Sequence, residues 1–139
     1  MSLLLASCDI ETSDNGQLDG LWQMREIEDL QTGQTSDGRD VDAQWSFQGS
    51  LLMLHAATHA RFNIVYCSFK HEGNRLQLSA PYFGGRFDPE FNDDVKVDNP
   101  EDLHIYGLYR LDEAFQVLQL DSKTMILQSD SVRLHFRKY

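Results

Sequence analysis

Ala114-Phe-Gln-Val-Leu-Gln-Leu120, Thr124-Met-Ile-Leu-Gln128 and Val132-Arg-Leu-His-Phe-Arg137 decide the fold of this chain. Each reads as a strand: short, rich in apolar residues and bounded by polar turn residues. The connections carry Asp121-Ser122-Lys123 and Asp130-Ser131. Turns that short and polar join antiparallel neighbours, because a parallel crossover needs a dozen residues or more. The chain therefore ends in a three-stranded meander.

The same reading extends upstream. Gly20-Leu-Trp-Gln-Met-Arg-Glu-Ile27 alternates around Trp22 and Met24 and continues to Leu30, before a Thr32-Gly33 turn. A polar loop, Ser36 to Asp42, leads into strands Gln44-Trp-Ser-Phe-Gln48 and Ser50-Leu-Leu-Met-Leu-His55. Arg61 to Phe69 is rich in aromatic and β-branched residues and leads to the turn Glu72-Gly73-Asn74. Leu76 and Leu78 mark the next short strand. Between Pro81 and Leu103 the pattern breaks into glycines, prolines and acids, which predicts a long loop. Within it Asn99-Pro100-Glu101-Asp102 has the form of a helix start, with Asn as cap, Pro at the first position and acids in the first turn. Gly107 would end that helix. The prediction is an all-β chain, an antiparallel meander of seven or eight strands with one short helix. At 139 residues it is one domain. An up-and-down barrel is the natural solution, because closing the sheet removes its edges, and eight strands enclose room for side chains or one small ligand. A β-sandwich of the same strands is the runner-up.

The N-terminus speaks to location. Leu5-Ala6-Ser7-Cys8 matches the bacterial lipobox, in which two small residues precede a cysteine that is lipidated and becomes the new N-terminus. Two or three acyl chains, at ~0.8 kcal/mol per buried CH₂, anchor a protein stably. Only Met1 to Ala6 precede the site, with no Lys or Arg, so 1–7 is expected to be a signal-peptide remnant of a precursor starting upstream. The alternative is a cytosolic chain with an apolar N-terminus. Residues 8–17 read as a lipidated polar tether and 18–139 as the folded domain. With Cys8 lipidated, Cys67 is expected as a buried small hydrophobe; a Cys8–Cys67 disulfide is the competing reading. No stretch approaches 18 consecutive apolar residues. The net charge of −10, with no basic stripe, opposes nucleic-acid binding.

Gly20-Leu21-Trp22 resembles the G-x-W signature of lipocalins and their wider superfamily. The tail from Phe115 to Tyr139, including Leu134-His-Phe-Arg-Lys-Tyr139, is similar to the closing strands of lipocalin-like lipoproteins from Bacteroidetes. The resemblance implies an up-and-down lipocalin-like barrel of about eight strands. It also implies a structural plug in which Trp22 packs at the closed end, following Gly20, beneath an Arg of the last strand, Arg133 or Arg137. Members of that group largely lack an assigned activity.

Four segments carry residue types suited to chemistry. Pro81-Tyr82-Phe83-Gly84-Gly85-Arg86-Phe87 suits a lid over a barrel mouth, with Tyr82, Phe83 and Phe87 covering an apolar ligand and Arg86 pairing with an acidic head group. The competing reading is that these aromatics anchor the loop to the barrel exterior. His55-Ala-Ala-Thr-His59 has the i,i+4 spacing of a helical metal site, but lacks a third ligand and falls where a turn is expected. Asp88 to Asp94 alternates oxygen ligands without the glycine and bidentate glutamate of a calcium loop, so a solvated acidic loop is favoured. Ser13-Asp14-Asn15 has no companion motif and is set aside. No cofactor, metal or catalytic constellation is expected.

The leading functional expectation is a lipid-anchored envelope protein of a Gram-negative bacterium, in the outer membrane or facing the periplasm. Its barrel would bind a small, largely apolar ligand, and that reading requires an interior not filled by the chain's own side chains. The alternative is an interaction module that docks an envelope protein and uses the barrel as scaffold. An envelope enzyme comes third, with no reaction identified.

Overall fold

The computed structural model describes residues 15–56, 64–84 and 95–139. Its strands are β1 (Gly20–Asp29), β2 (Thr35–Asp37), β3 (Ala43–Gln48), β4 (Leu51–Ala56), β5 (Ile64–Glu72), β6 (Arg75–Phe83), β7 (Val95–Lys96), β8 (Glu113–Leu120), β9 (Thr124–Gln128) and β10 (Val132–Lys138). Eight of them pair in the order β1-β3-β4-β5-β6-β8-β9-β10, all antiparallel. The sheet closes on itself where β10 lies along β1, from Trp22 opposite Lys138 to Asp29 opposite Val132. A single closed sheet is a barrel, so the sandwich alternative falls away. Short β2 and β7 add to the rim beside β1 and β6.

Alternation fills the inside. Trp22 and Met24, Trp45 and Phe47, Leu52 and Leu54, Leu76 and Leu78, and Leu134 and Phe136 all point inward and are buried. Trp45 sits among aromatic rings, with centroids 4.8 Å from Phe136, 5.8 Å from Phe115 and 6.2 Å from Phe47. Edge-to-face and tilted pairs of this kind add to the stabilisation from area burial alone. Cys67 is a free buried thiol on β5, and burial pushes its pKa up to about 12, which makes it a core residue rather than a nucleophile.

Two segments predicted as loops carry strands. In Ser36–Asp42, the first two residues belong to β2 and pair with β1, Ser36 opposite Ile27 and Asp37 opposite Glu26. The 3₁₀ turn Gly38–Asp40 follows, with the Asp37 carboxylate accepting from the Arg39 backbone N–H and pairing with its guanidinium at 2.8 Å. Those bonds hold the Asp37 pKa down at about 2. The second case is Pro81. Proline is tolerated in a strand at a bulge, and here the register slips so that Ser68 faces Ser79 while Tyr66 faces Tyr82. Ala80 absorbs the extra residue with φ 52°. Strand β6 thus runs through Pro81 to Phe83, and the Pro81 carbonyl accepts from the Val97 N–H.

The predicted helix is present as a 3₁₀ helix, Pro100–Tyr106. The Asn99 side chain accepts from the Glu101 N–H at 3.0 Å, and Gly107 ends the helix in the left-handed region at φ 84°.

Candidate functional site

One end of the barrel is closed by the chain's entry. The 3₁₀ turn Gly16–Leu18 tucks Leu18 into the core, and the Trp22 indole N–H donates to the Leu18 carbonyl at 2.8 Å. The cation over Trp22 is Lys138, whose Nζ stands 4.9 Å from the ring centroid and also donates to the Gln17 carbonyl at 3.0 Å. This corrects the expectation of Arg133 or Arg137. Both arginines are out of phase with the inward set Val132, Leu134 and Phe136, which continues to Lys138, the ladder partner of Trp22. Arg137 is exposed, and Arg133 pairs outside with Glu28 at 3.1 Å and Gln128 at 3.0 Å. Gly20 makes the plug possible: its φ is 123°, and a Cβ there would meet Lys138 Cε at 3.0 Å.

The opposite end carries the start of β3, the end of β4 and the end of β6. The segment from Val97 to Leu108 is folded into it. Val97, Leu103, Tyr106 and Leu108 are all buried, and the Trp45 indole N–H donates to the Tyr106 carbonyl at 3.2 Å. From Leu18 at one end to Tyr106 at the other, the buried side chains form one continuous core. The open interior that the carrier reading requires is therefore filled, among the described residues, by the chain itself. At the start of β8 the buried Glu113 accepts from the Tyr109 N–H at 3.2 Å; desolvation raises its pKa against that bond.

The Tyr106 hydroxyl is buried with no hydrogen-bond partner among the described residues, and desolvation raises its pKa. A buried unpaired donor costs about 1–3 kcal/mol. Tyr106→Phe is accordingly expected to leave stability unchanged or raise it by up to about 2 kcal/mol. Urea unfolding of the two proteins checks this, and a loss above about 1 kcal/mol would mean the hydroxyl has a partner.

The residues singled out from the sequence separate. Tyr82 and Phe83 lie in β6, not on a lid: each is locked into the ladder with β5, opposite Tyr66 and Val65. Their faces differ, Phe83 being 8% exposed and directed into the core and Tyr82 being 37% exposed on the outside. His55 is in strand β4, so the helical geometry that would align it with His59 is not formed there. Cys8, His59, Arg86, Phe87 and Asp88 to Asp94 lie outside the described residues.

Register assembles two outer clusters that no spacing along the chain displays. Met53, Tyr66, Tyr82 and Lys96 form a row across β4, β5, β6 and β7, with exposed Leu51 and half-buried Ile64 flanking it. At the β1–β10 seam, donor atoms of Glu26, Glu28 and His135 lie within 4.8 Å of one another. A separate polar groove of about 360 Å³ is lined by Arg75, Gln116, Gln128 and Asp130 among others.

A closed eight-stranded up-and-down barrel, entered by a 3₁₀ turn and plugged by a tryptophan beneath a last-strand cation, is a barrel of the lipocalin type. The chain belongs to the lipocalin-like domain family, whose model matches residues 3–139. Among solved structures it is similar to a lipocalin-like protein from Bacteroides uniformis ATCC 8492, at 20% identity and a TM-score of 0.63, covering 89% of this chain and 100% of that one. An uncharacterized protein from Bacteroides eggerthii DSM 20697 is similar at 19% identity and a TM-score of 0.63, covering 87% of this chain and 98% of that one. At those identities the likeness is one of fold. No curated protein matches the sequence.

Proposed function

We propose that this chain is a lipid-anchored protein of the cell envelope whose barrel is a rigid scaffold for docking a partner protein of that envelope. The observation that carries the reading is the filled interior: Trp45, Tyr106, Phe115 and Phe136 occupy the space a ligand would need, which leaves the outer faces to work. The row Met53-Tyr66-Tyr82, with Leu51 beside it, offers aromatic and aliphatic anchors of the kind that carry binding energy at interfaces. The net charge of −10 favours a partner with a basic rim. Support for the anchor is Leu5-Ala6-Ser7-Cys8.

Tyr82→Glu tests the docking face. It is expected to weaken capture of a specific envelope partner by at least about tenfold, the loss of one ~1.4 kcal/mol anchor, with the melting temperature within a few degrees of wild type. Partner capture equal to wild type would remove this face from the reading. The second reading, a carrier for a small ligand, is favoured by one observation: the unpartnered Tyr106 hydroxyl marks the 97–108 segment as imperfectly satisfied where it lies. That carrier must first move the segment out of the barrel.

A further inference from the structure

We infer that the outer face of the β1–β10 seam binds a divalent cation of the zinc type, with Glu26, Glu28 and His135 as its ligands. His135 faces outward because its neighbours Leu134 and Phe136 face the core. On β1 the register slips between Met24 and Glu26: Met24 lies opposite Phe136, and Glu26 lies opposite His135. Without that bulge Arg25 would stand opposite His135, placing a cation where a metal must enter. Bulges re-aim side chains in this way next to working sites. Glu28 follows two residues on, on the same face of the strand.

The donor chemistry is coherent. One imidazole nitrogen and two carboxylate oxygens are ligands that zinc accepts, and their atoms already lie within 4.8 Å of one another. In a tetrahedral shell with bonds of about 2.1 Å, donors stand about 3.4 Å apart, so modest side-chain rotation closes the set. The Arg133 guanidinium bonds one oxygen of Glu28 at 3.1 Å and Gln128 at 3.0 Å. A carboxylate held on one oxygen keeps the other for a metal, which is how an outer partner orients a ligand. The side chains of Glu26 and His135 have no partner among the described residues, so neither must be pulled from another bond. Three protein ligands leave a fourth position for water.

The test is calorimetric titration of the tag-free full chain with zinc chloride, alongside Glu26→Gln, His135→Gln and His55→Gln. The expected result is one saturable equivalent of zinc. Affinity should fall by at least about tenfold in Glu26→Gln and in His135→Gln, and should be unchanged in His55→Gln. Metal-free melting temperatures close to wild type show that the variants are folded. Absence of saturable binding, or binding that survives both seam substitutions, overturns the site. Loss of zinc binding on His55→Gln alone overturns it as well, by placing the metal elsewhere.

Discussion

Gly107→Ala is expected to lower the stability of the barrel by roughly 2–5 kcal/mol, the sum of a left-handed residue acquiring a Cβ and an overpacked core contact. Gly107 ends the 97–108 segment at φ 84°, and a Cβ there would meet Leu134 Cδ2 at 2.7 Å and Cδ1 at 2.8 Å. Leu134 is fully buried on β10 and has no free direction in which to yield. The damage falls on the join between the inserted segment and the barrel wall, so Trp45 fluorescence should report the loss together with urea unfolding. An alanine variant within about 1 kcal/mol of wild type would mean that the segment does not press on Leu134 as described.

Trp45→Ala should cost roughly 3–5 kcal/mol, the range for truncating a large buried aromatic. Trp45 is fully buried, touches three phenylalanine rings and donates to the Tyr106 carbonyl. Against a typical total of about 5–15 kcal/mol, that loss leaves the variant folded but marginal. The space it opens is apolar and should accept a small aromatic molecule, as dry engineered cavities do. Indole at millimolar concentration is therefore expected to raise the melting temperature of Trp45→Ala and leave wild type unchanged. A wild-type protein equally stabilised by indole would show that its interior is already open.

Where local chemistry decides, the sequence was sufficient. The meander from β8 to β10 follows from two short polar turns, and the Asn99 cap, Pro100 and terminal Gly107 define the 3₁₀ helix. The plug around Trp22 was legible in part. Its cation was not, although the alternation Val132, Leu134, Phe136 extends to Lys138. The inward role of the helix had a weak signal too, since Leu103 and Tyr106 stand three apart, which is one face of a 3₁₀ turn. Other features depend on register and could not be read along the chain. Strand β6 passes Pro81 because a bulge at Ala80 absorbs it, and β2 consists of Thr35, Ser36 and Asp37, with no apolar periodicity to announce it. The clusters Met53-Tyr66-Tyr82 and Glu26-Glu28-His135 exist only once strands distant in sequence are aligned.

Among the described residues the chain's own side chains pack the barrel interior, and on the reading proposed above its outer surface does the work. Native mass spectrometry of the protein purified from the cells that make it tests whether the barrel carries a small molecule. The predicted result is a polypeptide carrying no small molecule that denaturation releases, with any acyl mass on Cys8 persisting because it is covalent. A bound mass of a few hundred daltons that leaves on denaturation would contradict the claim and restore the barrel interior as the working site.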